Sequence, residues 1–160
     1  MEVSPTLMQL NVSWGGMPKL PVEFARVTRA GVEGDYQKNR KYHGGPDRAV
    51  CLLSHELYEW LRQRKIDLKY GSVGENFTTR GIDLNVLEKG DRLKVGECVV
   101  ELTDVRIPCK KLKQWDPDLP GLMVGCSGWV ARVLEEAIVR TGDPVELLEA
   151  SNLKSQLLNR

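Results

Sequence analysis

Residues 92–105 read RLKVGECVVELTDV, two apolar runs joined by Gly96-Glu97 and preceded by Gly90-Asp91. A glycine-bearing two-residue turn between such runs predicts a hairpin, because glycine takes the backbone angles that tight turns need. In the second run Cys98, Val100 and Leu102 fall on one face, and Val99, Glu101 and Thr103 on the other. The same punctuation recurs along the chain. Met8, Leu10 and Val12 alternate with Gln9, Asn11 and Ser13 as a strand; the turn WGGMPKLP then leads to an apolar-rich strand from residue 22 to about residue 28. Glu33-Gly34-Asp35 is a turn, AVCLL a short buried strand, Phe77-Thr78-Thr79 a strand, and Thr141-Gly142-Asp143-Pro144 the turn into a final strand over 145–148.

Helical signals are fewer. Ser54 suits an N-cap, with Glu56 in the first turn and Leu57, Trp60 and Leu61 at helical spacing. Ser127 suits a second cap, before GWVARVLEEAIV, where Trp129, Val130, Val133, Leu134, Ala137 and Ile138 form an apolar stripe. Pro108 suits the first turn of a short helix, CKKLKQW. The pattern predicts a mainly β (α+β) fold, a closed or nearly closed β-barrel with two or three peripheral helices. At 160 residues one domain is expected, spanning 1–150, with 151–160 a short tail or weak helix.

Charge and cysteine usage narrow the function classes. A net charge of +1 gives no general electrostatic grip on nucleic acid or an acidic membrane. MEVSPTLMQL does not read as a secretory leader, and no apolar run approaches a membrane span. Cys51, Cys98, Cys109 and Cys126 are widely spaced and form no CxxC pair, which argues against a zinc knuckle or a thioredoxin-like motif. A cytoplasmic protein with reduced thiols is expected.

Four stretches carry candidate chemistry. In RIPCKKL, Cys109 follows a strand end beside Arg106, Lys110 and Lys111, a positive setting that favours a thiolate able to bind a soft metal or attack an electrophile. A surface thiol among solvated lysines is the competing reading. Cys51 and Cys98 read as packing residues, and Cys126, in GCSG, as part of a tight loop. In KYHGGPDRAV, Gly44 and Gly45 allow close backbone approach to a ligand, with His43, Asp47 and Arg48 around the bend; a plain turn entering a buried strand also fits. In GSVGENFTTRG, Glu75 and Asn76 either line a polar pocket or sit in a hairpin-like loop, and the stretch matches neither a Walker loop nor a dinucleotide fingerprint. Lys19, in GGMPK, is a cation on a rigid turn that either meets an anion or lies on the surface.

Taken in order, PK, GxxGD, HGGPDRAV, the serine-started helix, GSVGENFTTRGIDL, RIPCKKL and GWVARVLEE…GDPVELLE resemble a MOSC domain, the family named for the C-terminal region of molybdenum cofactor sulfurase. The resemblance runs from about residue 5 to residue 149 and points to a short, single-domain, YiiM-like form. It implies a β-barrel and association with molybdenum cofactor, a molybdenum held by the dithiolene of a phosphorylated pterin. The family's metal-binding cysteine falls on Cys109. The resemblance further implies that Lys19, His43, Gly44, Gly45, Asp47, Arg48, Glu75, Asn76 and Lys111 contact the cofactor's phosphate and pterin. Two activities follow from it. One is reduction of small N-hydroxylated compounds, with electrons from a separate flavin or iron–sulfur reductase. The other is cofactor or sulfur carriage on Cys109, as thiolate or persulfide, in exchange with a cofactor- or sulfur-transfer enzyme.

Overall fold

The computed structural model describes residues 4–36 and 45–148. The short runs form β1 (Thr6–Val12), β2 (Leu20–Val22), β3 (Phe24–Thr28), β4 (Gly31–Val32) and β5 (Val50–Ser54), and β5 passes directly into α1 (His55–Gln63). There follow β6 (Phe77–Arg80), the hairpin of β7 (Arg92–Val95) and β8 (Cys98–Val105), and the single turn α2 (Leu119–Leu122). The described chain finishes with β9 (Trp129–Glu135), β10 (Ala137–Arg140) and β11 (Val145–Leu147). It is mainly β with few helices.

The larger sheet has eight strands in the order β11-β7-β8-β9-β5-β6-β1-β2; the smaller has three, β10-β3-β4. β5 and β6 pair in parallel with α1 in the crossover, whereas β8 and β9 pair antiparallel at the centre. The expected barrel is not formed. The end strands β11 and β2 have three residues each, and among the described residues one isolated bridge, Thr6 to Pro144, brings the start of β1 to the turn before β11. Barrel closure needs a continuous ladder between its first and last strands, and a single bridge does not supply one.

Two apolar clusters follow from side-chain alternation along the strands. Val50 and Leu52 of β5 join Leu10, Val27, Phe77 and Val139 in the first cluster, which spans both sheets. Leu53 belongs instead to a second cluster, with Leu57 and Leu61 of α1, Leu112, Leu119 and Met123. In β1 the expected Met8-Leu10-Val12 face is broken. Leu7 and Leu10 are the fully buried pair, because an irregularity between Leu7 and Gln9 shifts the pairing with β6.

The stretch GWVARVLEEAIV is not the helix that its apolar stripe predicts. It forms β9 and β10, and Trp129, Ala131 and Val133 enter the first cluster at a period of two. Its Trp and valines suit either period, and tertiary pairing decides: β9 bonds to β8 on one side and β5 on the other. Ser127 therefore caps nothing; its hydroxyl donates to the Met123 carbonyl at 2.5 Å. Gly128 enters β9 at φ +78°, where a Cβ would stand 1.9 Å from the Leu52 carbonyl oxygen.

Ser54 does cap α1, accepting from the Leu57 amide at 3.1 Å. Ser54→Ala is expected to cost about 1 kcal/mol, read as a lower urea midpoint at unchanged slope. Of the cysteines, Cys98 is buried as expected, and burial pushes its thiol up to about 12. Cys51 is only half-buried, and its backbone binds Asn76. Cys126 is half-buried in its loop, and burial raises its thiol. The expected tail at 151–160 lies outside the described residues.

Candidate functional site

β8 ends at Val105, and one further pairing follows as the Arg106 amide donates to the Gly128 carbonyl at 3.0 Å. Ile107 then projects outward, 86% exposed, and Pro108 has no amide to continue a ladder. The expected helix is a five-residue 3-10 turn, Lys110–Gln114, and Pro108 lies outside it. Cys109 is its N-cap, half-buried, with extended backbone angles. The Lys111 amide donates to Cys109 Sγ at 3.5 Å, so Lys111 meets the sulfur through its backbone.

Two hydrogen bonds fasten this segment to the loop over residues 71–76. Arg106 Nη2 donates to the Val73 carbonyl at 2.7 Å, and Trp115 Nε1 to the Ser72 carbonyl at 3.0 Å. Leu112, between them, is buried in the second cluster. The loop itself packs backbone to backbone. Lys19 donates its amide to the Gly71 carbonyl at 2.9 Å, and a Cβ on Gly71, at φ +85°, would lie 2.3 Å from the Lys19 carbonyl oxygen. Glycine is the residue that fits there.

Glu75 and Asn76 both lie wholly inside this loop and point to different partners. The Glu75 carboxylate accepts from Tyr58 at 2.7 and 2.9 Å, from Thr78 Oγ1 at 2.8 Å and from the Gly71 amide at 3.1 Å. Burial pushes its carboxyl above the usual range, and these donors oppose the shift only in part. Burial and the neighbouring Glu75 charge push the Tyr58 phenol upward in turn. Asn76 Oδ1 accepts from the Cys51 amide, and its Nδ2 donates to the Asn11 carbonyl and to Asp35.

Lys19 is not a surface lysine. It is 8% exposed, and its ammonium bonds both Asp35 carboxylate oxygens at 2.7 and 2.8 Å. Asp35 also accepts from the Ser13 amide and from Asn76, so the anion that Lys19 meets belongs to its own chain. The sequence reading missed Asp35, whose only visible role was in a Glu-Gly-Asp turn.

The Pro46–Arg48 turn stands apart from this loop, on the rim of the larger sheet. Gly45 opens it at φ +84°. Asp47 bonds Arg132 at 3.1 Å, and its carbonyl accepts from Thr103 Oγ1. Arg48 is 3.6 Å from Asp104, two residues before Arg106, with both side chains well exposed. Hydrogen bonds thus link Lys19, Glu75, Asn76 and the Cys109 segment, while Arg48 reaches that segment only through Asp104. His43 and Gly44 lie outside the described residues.

Arg106 is a second residue whose importance the sequence reading understated. Among the described residues its Nη1 is buried without a hydrogen-bond partner, and no carboxylate pairs with it. Such an orphan donor three residues from Cys109 suits an anionic ligand. The one local signal was its position in RIPC.

The chemistry of the donor set points the same way. Among the described residues no three His, Cys, Asp or Glu side chains gather as they would to cage a metal ion. A single soft sulfur, with an arginine three residues away that forms no ion pair among the described residues, instead fits a metal that arrives with its own ligands and an anionic tail.

The chain matches the MOSC domain family over residues 39–146 and belongs to it. It is 35% identical over 130 residues to Protein YiiM of Escherichia coli (strain K12), covering 76% of this chain and 58% of that protein. It is 34% identical over 153 residues to the uncharacterized protein YflK of Bacillus subtilis (strain 168), covering 91% and 69%. The sequence match thus spans less than two thirds of the length of that YiiM protein. The crystal structure of YiiM from Geobacillus stearothermophilus superposes with a TM-score of 0.74 at 27% identity, over 91% of this chain and 75% of that one. YiiM from Escherichia coli gives 0.72 at 26%, over 91% and 70%. No helix among the described residues is long and apolar enough to cross a membrane.

Proposed function

We propose that this MOSC domain binds molybdenum cofactor through Cys109 Sγ and reduces small N-hydroxylated compounds with electrons from a separate flavin or iron–sulfur partner. One observation carries the reading: a half-buried thiol held by a backbone amide, three residues along the chain from a guanidinium whose buried Nη1 has no partner among the described residues. When bound, the cofactor supplies the two-electron oxygen-atom chemistry. The substrate's N–O bond breaks, its oxygen leaves as water, and two electrons and two protons are taken up.

The protein's own contribution is placement and charge. Cys109, four residues past the end of β8, would present its sulfur to the metal, with the Lys111 amide helping to fix the position of that sulfur. Arg106 Nη1 gives its free N–H to an anionic group of the cofactor. Glu75 acts through the loop: its carboxylate ties the loop to Tyr58 of α1, and the loop in turn seats Arg106.

The test is metal and pterin analysis of protein produced in a host that makes the cofactor. Wild type is expected to carry molybdenum and pterin near one per chain, and Cys109→Ala to retain less than about a tenth of the molybdenum. Full retention by the variant overturns the ligand assignment. Loaded protein that oxidises no reduced dye in the presence of N-hydroxylated substrates overturns the reductase reading. Sulfane sulfur trapped on Cys109 would then replace it with carriage.

A further inference from the structure

A second cleft lies between α1 and the turn over residues 81–85, with a volume of about 560 Å³. None of the residues lining it belongs to the Cys109 segment, the loop over 71–76 or the Lys19 turn. Its base is apolar: Leu57 and Leu84 are buried, and the half-buried Trp60, Ile82 and Cys126 form the walls. Its mouth is acidic, because Glu56 and Asp83 are exposed at the rim and no lysine or arginine lines the cleft among the described residues.

The cleft has a fixed frame. Glu56 Oε1 accepts from the Gly81 amide at 2.7 Å, a bond from helix to turn across the gap. Asp83 Oδ1 accepts from the Asn85 amide at 3.0 Å and so holds the turn closed on itself. Trp129 Nε1 donates to the Leu84 carbonyl at 2.8 Å and anchors the floor. Each carboxylate spends one oxygen on the frame, and neither forms an ion pair among the described residues. Arg64 already lies 3.7 Å from the centroid of the Trp60 ring, so this indole accepts a guanidinium on a face.

We propose that this cleft is a second binding site, for a small organic cation with an apolar body, such as an arylalkyl amine or an aryl amidine. The apolar part would fill the space against Leu57, Ile82 and Leu84, and the cationic head would sit between Glu56 and Asp83 beside Trp60. The size is that of a small-molecule pocket, and the pairing of an apolar floor with two fixed charges sets orientation as well as class. The site is independent of the cofactor reading.

The test uses benzamidinium, neutral benzamide and anionic benzoate, each titrated into 15N-labelled protein. Benzamidinium is expected to shift the Trp60 indole N–H and the Gly81 and Cys126 amides saturably, while benzoate shifts none of them. The double variant Glu56→Gln/Asp83→Asn keeps an acceptor oxygen for both framing bonds, so the fold is preserved. It is expected to bind benzamidinium about tenfold more weakly or worse. Cys109→Ala is expected to bind it as wild type does. The proposal is overturned if no saturable shift occurs, if the double variant or benzamide matches wild-type benzamidinium affinity, or if Cys109→Ala abolishes binding.

Discussion

Asp35→Ala is expected to lower the free energy of unfolding by about 3–5 kcal/mol. Among the described residues, the Asp35 carboxylate is the one counter-charge on a Lys19 ammonium that is itself buried, at 2.7 and 2.8 Å. Alanine would leave that ammonium unpaired out of water and strip an acceptor from the Ser13 amide and from Asn76 Nδ2. Breaking one half of a buried pair costs more than deleting the pair, because the remaining charge keeps its desolvation penalty. The double variant Asp35→Ala/Lys19→Met removes both charges and is expected to be milder, by at least about 1 kcal/mol. Guanidinium unfolding at constant slope measures both. A loss under about 1 kcal/mol for Asp35→Ala would show that water reaches the ammonium.

Glu75→Ala is expected to cost about 3–5 kcal/mol, since the Tyr58 hydroxyl, the Thr78 hydroxyl and the Gly71 amide would all lose a buried acceptor. Glu75→Gln isolates the charge. Burial raises the folded-state value of this carboxyl above its unfolded one, so the native protein holds a proton that the unfolded chain has released. Its stabilising contribution is therefore complete below the unfolded value and is lost as pH rises through the folded one. The Gln variant has no such loss. Unfolding midpoints measured from about pH 4 to about pH 9 should show wild type falling relative to Glu75→Gln as pH rises. A pH-independent difference between the two proteins would sink the assignment.

Much of the β architecture was legible because its signals are local. The β7–β8 hairpin, the AVCLL strand and the Ser54 cap each depend on residues within a few positions of one another. The stretch over 129–140 was not, because Trp and valine at those spacings suit a helix stripe and a strand face alike. The barrel expectation failed for a related reason: periodicity predicts strands, whereas closure depends on which strand ends meet.

Within the candidate site, Cys109 stood out from its neighbours in the chain, and its place as N-cap beside the loop over 71–76 is a tertiary fact. The sequence could not show that Lys19 is internal, because its partner Asp35 lies 16 residues away and both residue types are ordinarily exposed. Nor could it separate Glu75 from Asn76. Adjacent in GENF, they sit in different networks, one reaching Tyr58 of α1 and the other Asp35.

The sequence alone determined the strand-rich class, many of the turns and the helix start at Ser54, since each follows from residue type and short-range spacing. Only the tertiary structure decided that β9 is a strand, that the sheets stay open, and that Arg106 keeps a buried donor without a partner. Those outcomes depend on burial and on pairing between distant segments, where the cost of an unmet charge or hydrogen bond is set by surroundings that no local window contains.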